Sequence, residues 1–267
     1  MDPVLERIPI TVCAGGTPRE RIVAFFSELL DAVQDSISAV KPNFAFYEQY
    51  GIEGMQALID VIRYAKQLGL IVIGDAKRGD IGATSAAYAK SVYSQFECDA
   101  VTIAPYMGSD SVAPFIEYCK QGKGQYILCR TSNPGARDLQ DKESGRSPLY
   151  MATAQKIIEW AQPGTGAVVG ATYPEELERI SRLFVESGKE IPLLIPGIGS
   201  QGGSIHDVIS ALKKTGNELS LHRMNSSSGI SYAYEKSERG GAGEECDWVG
   251  AAVREVERMK REIGLIF

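Results

Sequence analysis

Short apolar runs alternate along this chain with stretches whose apolar residues recur every three or four positions. The runs predict strands over 8–13 (IPITVC), 38–42 (SAVKP), 70–76 (LIVIGDA), 99–105 (DAVTIAP), 125–130 (QYILCR), 166–171 (GAVVGA), 192–198 (PLLIPGI) and 219–225 (LSLHRMN). Most are continuous rather than alternating, as expected of parallel strands covered on both faces. Helical spacing is clear over 20–37, where Ile22, Phe25, Phe26, Leu29, Leu30, Val33 and Ile37 share a face. It recurs over 52–68, through Met55, Leu58, Ile59, Ile62 and Ala65, and near 248–263, through Val249, Val253, Val256 and Met259. Thr172 before YPEE and Ser111 before VAPF are expected helix N-caps, and Gly69 after YAKQL a helix stop.

Eight strand-then-helix units in one chain predict an α/β protein, a (β/α)8 TIM barrel forming a single domain over 1–267. An open doubly wound sheet is the competing architecture, but it lacks a G-x-G-x-x-G opening here. In a barrel, catalytic groups gather at the carboxyl ends of the strands. Two long connections would overhang that end: 131–148 (TSNPGARDLQDKESGRSP) and a Gly- and Glu-rich flexible insertion near 235–247 (EKSERGGAGEECD).

Composition narrows the function classes. The chain is 44% apolar and 23% charged, with a formal charge of −6. That argues against a nucleic-acid or anionic-membrane surface, so recognition of any anionic ligand must be local. No stretch approaches the ~20 apolar residues of a membrane span, and MDPVLERIPITVC carries no export signal, so a cytoplasmic protein is expected. Five scattered cysteines without a CxxC pair, and only two histidines, read as reduced thiols and leave no metal site.

Against this background one charged stretch stands out. DAKRGDIGATSAAYA, 75–89, places Asp75, Lys77 and Asp80 directly after an apolar run. Residues two apart on a strand share a face, so Asp75 and Lys77 would point together. Lys41 ends the preceding strand in KPNFAFYEQYG, and neighbouring strands lie about 4.8 Å apart. The alternatives are a surface ion-pair network, in which each pair contributes about 0–1 kcal/mol, and a site where charge does chemistry. Position favours the second, because both lysines end apolar strands. Further on, RTSN puts Ser132 at the rim. In PGIGSQGG, Gly197, Gly199, Gly202 and Gly203 free the backbone to approach a phosphate, and Gln201 offers an amide.

Taken together, DAKRGDIGATSAAYA, KPNFAFYEQYGIEG, APYMGSDS, RTSNPG and PGIGSQGG resemble the orotidine 5'-phosphate decarboxylases, in the branch that carries D-A-K-R-G-D. The likeness runs from about residue 8 to the last helix. It implies conversion of orotidine 5'-phosphate to uridine 5'-monophosphate and CO2, the last step of de novo pyrimidine nucleotide synthesis, with no cofactor and no metal. It also implies a homodimer. Lys77 would protonate C6 of the pyrimidine, and Asp75 would face the departing carboxylate between Lys41 and Lys77. Asp80 and Thr84 would enter from the other subunit. Ser132 would contact the pyrimidine and Gln201 the phosphate, with Asn43, Gly199 and Gly202 among the substrate-binding positions.

Two departures from the family pattern stand in the sequence. Members commonly end the first strand with GLDP, whose aspartate takes ribose and lysine contacts; the expected counterpart here is AGGTP, with Thr17 in that place. Members also commonly end the eighth strand with N-S-S-R, the arginine gripping phosphate; here the run is MNSSSGI, with Ser228 there. These substitutions keep two alternatives open, a catalytically impaired nucleotide-binding paralogue and another phosphate-sugar lyase on the same barrel.

Overall fold

The computed structural model describes residues 1–199, 202–236 and 247–264. In chain order its elements are α1 (Pro18–Val33), β1 (Ala39–Val40), α2 (Phe44–Glu48), α3 (Gly51–Gln67), β2 (Ile71–Arg78), α4 (Gly82–Lys90), β3 (Ala100–Ile103) and α5 (Ser109–Ile116). There follow β4 (Gly124–Arg130), a two-stranded hairpin β5 (Glu143–Ser144) and β6 (Ser147–Pro148), α6 (Leu149–Trp160), β7 (Thr165–Val169) and α7 (Pro174–Glu186). The last are β8 (Leu193–Ile195), α8 (Ile205–Thr215), β9 (Arg223–Met224), α9 (Ser228–Ser231) and α10 (Trp248–Gly264). Seven strands share one sheet in the order β1-β2-β3-β4-β7-β8-β9. β1 pairs parallel with β2, and β3, β4, β7, β8 and β9 pair parallel in succession. Among the described residues no helix is long and apolar enough to cross a membrane.

The chain forms two compact units. One comprises Met1–Ala76, Phe96–Cys98 and the described residues from Ser227 onward. Its core is aromatic: Phe25 stacks on Trp248 at 4.7 Å and on Tyr232 at 5.7 Å, and meets Phe26 edge-on at 5.1 Å. The expected helix face over 20–37 is thus the buried face of α1, which ends four residues early because Gln34–Ser36 tightens into a 3-10 turn. The Gly69 stop is seen as expected, at φ +76° just past the end of α3.

The strand expected over 8–13 is not formed. Pro9 has no N–H to give a ladder, Val12 N–H bonds back to the Pro9 carbonyl, and Gly16 N–H to the Cys13 carbonyl. Ile8 and Val12 are buried four residues apart, in the manner of a turn, while Ile10 is 84% exposed. The segment lying beside β1 is instead Met1–Val4. Asn43 N–H donates to the Met1 carbonyl, Val4 N–H to the Tyr232 hydroxyl, and that hydroxyl to the Asp2 carbonyl.

The second unit comprises Lys77–Gln95 and Asp99–Ser226. Here β3, β7 and β8 are buried along their whole length, as the continuous pattern predicts, while β4 alternates half-buried and buried positions before its buried end. Two expected caps lie elsewhere. Gly108 precedes α5, leaving Ser111 inside the helix, and Tyr173 precedes α7, where Pro174 occupies the first turn. Thr172 is released to donate its hydroxyl to the Ser132 carbonyl at 3.1 Å. Gly199, Gly202 and Gly203 close a tight turn between β8 and α8, with φ +81° and +86° at the first two.

β8 and β9 are tied by a buried histidine. Leu193 N–H donates to His222 Nδ1 at 3.0 Å, so the ring proton sits on Nε2, a buried atom without a partner among the described residues. Burial, with Arg223 adding repulsion, pushes the His222 pKa down to about 4 from 6.5. A depressed histidine contributes stability above its unfolded pKa and loses it as pH falls through the folded value. Between pH 6.5 and about 4 this residue should cost on the order of 3 kcal/mol. Urea unfolding from pH 7 to 4 should show that loss in the unaltered protein and a flatter acid limb in His222→Gln, whose amide oxygen can keep the Leu193 bond. Superimposable acid limbs would refute this assignment.

Candidate active site

In the first unit β1 and β2 bring together a buried charge pair. Lys41 follows β1, whose only two residues pair with Ile71 and Val72 at the start of β2, so the chain leaves β1 alongside the middle of β2, where Asp75 lies. There the Lys41 ammonium donates to Asp75 Oδ2. Both side chains are at least nine-tenths buried. Asn43 bridges to Asp75 in parallel, and Asp75 N–H bonds to the Pro42 carbonyl, which fixes the backbone on both sides of the pair. Asn43 Oδ1 also caps α2 through Ala45 N–H at 3.3 Å.

A second carboxylate joins this pair. The Met1 ammonium donates to the Lys41 carbonyl at 2.6 Å and lies 3.6 Å from Asp2 Oδ1. Burial works against ionisation of Asp2, but the N-terminal ammonium and Lys41 outweigh it and hold its carboxyl below the usual aspartate range. Two amino groups and two carboxyl groups therefore alternate within one unit, with burial lowering the pKa of the Met1 amine. Ser227 also favours the charged form of Asp2 through a side-chain hydrogen bond, while Tyr47 Oη is buried without a hydrogen-bond partner among the described residues. Asp2 is the residue that sequence reasoning missed. Its signal was the Asp2-Pro3 dipeptide, whereas Thr17-Pro18 drew attention instead. Thr17 is exposed and caps α1, accepting from Glu20 N–H at 3.3 Å while Glu20 accepts from Thr17 N–H at 2.8 Å.

In the second unit β2 ends at Lys77 and Arg78. Lys77 adopts φ +44°, a conformation costly for any residue with a Cβ. It is held there by its N–H, which donates to Thr102 Oγ1 at 3.0 Å, and by the next carbonyl, Arg78, which accepts from Ala104 N–H at 2.8 Å. Strand alternation is broken at this point, so the shared face expected for Asp75 and Lys77 does not follow from periodicity. The Lys77 side chain is exposed in this single chain, and Asp80 is half-buried, its Oδ1 accepting from Ile81 N–H at 2.8 Å. Thr84 is exposed in the first turn of α4.

Ser132 follows β4 and is held from both sides. Its carbonyl accepts from Thr172, and Gly170 passes so close that an added Cβ would meet Ser132 Cα at 2.8 Å. In the glycine turn after β8, the N–H groups of Gly199 and Gly202 are not free: they donate to the Gly203 and Gly199 carbonyls, and Gly203 N–H to the Gly197 carbonyl. Their contribution is the turn itself, and Gln201 lies outside the described residues. Ser228 opens α9 and is half-buried. Among the described residues no group of three His, Cys, Asp or Glu could hold a metal ion.

Comparison with known proteins shows the family of the chain. A model of the "Orotidine 5'-phosphate decarboxylase / HUMPS family" matches residues 22–239. The chain belongs to that family. It is 37% identical to the orotidine 5'-phosphate decarboxylase of Rhodopirellula baltica, over 98% of this chain and 92% of the relative. It is 42% identical to that of Herpetosiphon aurantiacus, over 79% of this chain and 76% of the relative. Among solved structures it is similar to the OMP decarboxylase of Leishmania donovani, with TM-score 0.76 and 32% identity over 94% of this chain and 90% of that one. The fold class is the α/β barrel expected from sequence, with seven parallel strands among the described residues in place of eight.

The alternating charges of the first unit make a direct prediction. In a carbon-detected NMR titration, the Asp2 carboxyl should change protonation below the ordinary aspartate value of about 3.9. A midpoint above that value would mean that burial outweighs the neighbouring ammonium groups.

Proposed function

We infer that this chain decarboxylates orotidine 5'-phosphate to uridine 5'-monophosphate and CO2, completing de novo pyrimidine nucleotide synthesis. The observation that carries this reading is the buried Lys41–Asp75 pair, followed two residues later by Lys77 in a strained conformation, in a chain of this family.

The chemistry asks for such a site. Loss of CO2 from C6 leaves a carbanion in the plane of the ring, with no adjacent electron sink, so a fixed ammonium beside it stabilises charge as it develops. Lys77 serves as that ammonium and then delivers the proton to C6. Asp75, paired with Lys41, stands against the substrate carboxylate, and their repulsion is relieved as CO2 departs. Asp2 takes the ribose and lysine contacts that its family counterpart takes, with Asn43 beside it. Ser132 contacts the pyrimidine. The turn around Gly199, Gln201 and Gly202 receives the phosphate. No step calls for a metal or an organic cofactor.

The working form in this reading is a cytoplasmic homodimer in which Asp80 and Thr84 enter the partner's site. The exposed apolar residues of the second unit support it. Ile81, Tyr88, Tyr106 and Met107 are all at least 36% exposed, with Tyr106 at 85%, and Gly79 lies within reach of Met107. Such a surface beside Asp80 suits a second copy of the chain.

Mixing variants tests the reading and the dimer together. With pyrimidine absorbance followed on orotidine 5'-phosphate, the unaltered protein should turn over. Lys77→Ala alone should lose almost all activity while still binding uridine 5'-monophosphate, and Asp80→Ala alone should be severely impaired. Refolded together in equal amounts, the two should regain about one quarter of the wild-type sites, because half the dimers pair an intact Lys77 with an intact partner Asp80. No regain would place Asp80 in the same chain's site, and no turnover by the unaltered protein would overturn the decarboxylase reading.

One observation favours the impaired-paralogue reading, namely Ser228 where the family's phosphate arginine stands. A charged hydrogen bond contributes about 1.5–3 kcal/mol, so Ser228→Arg should raise kcat/KM by roughly 10- to 150-fold. An unchanged or lower kcat/KM would show that the phosphate is already gripped by other groups.

A further inference from the structure

A buried arginine beneath the Ser132 loop has no part in the chemistry described so far. Arg130 is the last residue of β4, and its side chain has no exposed surface. Its guanidinium pairs with Glu176 through Nε and Nη2, and with Asp141 Oδ1 through Nη2 at 2.9 Å. Its faces lie over the rings of Tyr173 at 4.7 Å and Tyr150 at 5.4 Å. The remaining nitrogen, Nη1, donates to Gln140 Oε1 at 3.3 Å. An arginine cannot shed its charge, so this one must be satisfied in place, and two carboxylates and an amide do so.

Gln140 carries that order into the loop. Its Oε1 also accepts from Thr131 N–H at 2.9 Å, and its Nε2 donates to Thr131 Oγ1 at 2.8 Å. Thr131 Oγ1 in turn donates to Asn133 Oδ1 at 2.7 Å. Ser132 is therefore flanked by two residues fixed through one amide, and that amide rests on Arg130. Thr172 and Gly170 close the opposite side of Ser132. A surface loop would not need a desolvated cation and five polar contacts to hold one serine. A binding loop that must place a hydroxyl within a fraction of an ångström would.

We propose that Arg130 is a positioning residue that, through Gln140 and Thr131, sets Ser132 against the pyrimidine and so determines the site's selectivity for the base. This rests on the decarboxylase reading. Arg130 touches no substrate; it acts by fixing the backbone from which Ser132 reaches the ring. Glu176 and Asp141 orient Arg130 by pairing with its guanidinium.

Replacing Arg130 risks the fold, because two carboxylates would lose their cation, so the test uses Gln140→Ala, which leaves those pairs in place. Calorimetry would compare uridine 5'-monophosphate with ribose 5-phosphate, which lacks the base. Gln140→Ala should weaken uridine 5'-monophosphate by about 10- to 100-fold and leave ribose 5-phosphate unchanged. Ser132→Ala should do the same, and the double variant should be no worse than either single one, since both remove one contact. Equal weakening of both ligands would mean general damage, and multiplying effects would mean that Gln140 acts independently of Ser132; either overturns the proposal. Turnover of orotidine 5'-phosphate by the unaltered protein separates the outcomes. With turnover and an unaffected Gln140→Ala, this inference fails alone; without turnover, the decarboxylase reading fails and takes the inference with it.

Discussion

A lysine just past one short strand and an aspartate within its parallel neighbour, buried against each other, are the constraint on which the first unit depends. Taking two such charges out of water costs several kcal/mol per ion, and their attraction returns it only with good geometry and further hydrogen bonds. The Lys41–Asp75 pair meets that condition because its backbone is held by Asn43, Pro42 and Met1, and because Asp2 and the Met1 ammonium extend the alternation of sign. A fold built for stability alone would have filled that place with apolar side chains. Keeping the charges there, immediately before a strained Lys77, makes sense if the field they create is used.

The same economy governs the second unit. Lys77 sits at φ +44°, Arg130 is wholly buried, and the glycine turn consumes its own N–H groups. Each lies at or just past the carboxyl end of a strand. Thr102 and the Arg78 carbonyl hold the first, Glu176 and Asp141 the second. Rigid parallel strands supply the anchorage that loops bearing chemical groups lack, which is why conformational cost concentrates at that end of the sheet.

Much of this was legible in the sequence. Continuous apolar runs gave β2, β3, β4, β7 and β8, and three-and-four spacing gave α1, α3 and α10, because burial on both faces or on one stripe writes itself into local pattern. The first expected strand, 8–13, misled for the same reason: an apolar run with Ile8 and Val12 buried can be a turn as well as a strand. The true neighbour of β1, Met1–Val4, is too short to show a period. Its fixing groups, the hydroxyls of Tyr232 and Tyr50, come from far along the chain. Lys41, Asp75 and Lys77 could be named because charge directly after an apolar run is unusual. Asp2 was passed over because its place depends on those distant tyrosines. Arg130 was read as part of a strand, since nothing local reveals that Glu176, 46 residues on, reaches it.

One double variant tests most directly whether the Lys41–Asp75 pair is kept for function and not for stability. In Lys41→Met/Asp75→Leu both charges are replaced by apolar side chains of similar size. Buried ion pairs replaced in this way commonly leave a protein unchanged or more stable by about 1–4 kcal/mol. Denaturant unfolding should therefore find the double variant at least as stable as the unaltered protein, with decarboxylation of orotidine 5'-phosphate abolished. A double variant that unfolds several kcal/mol more easily, or one that still turns over, would contradict the account.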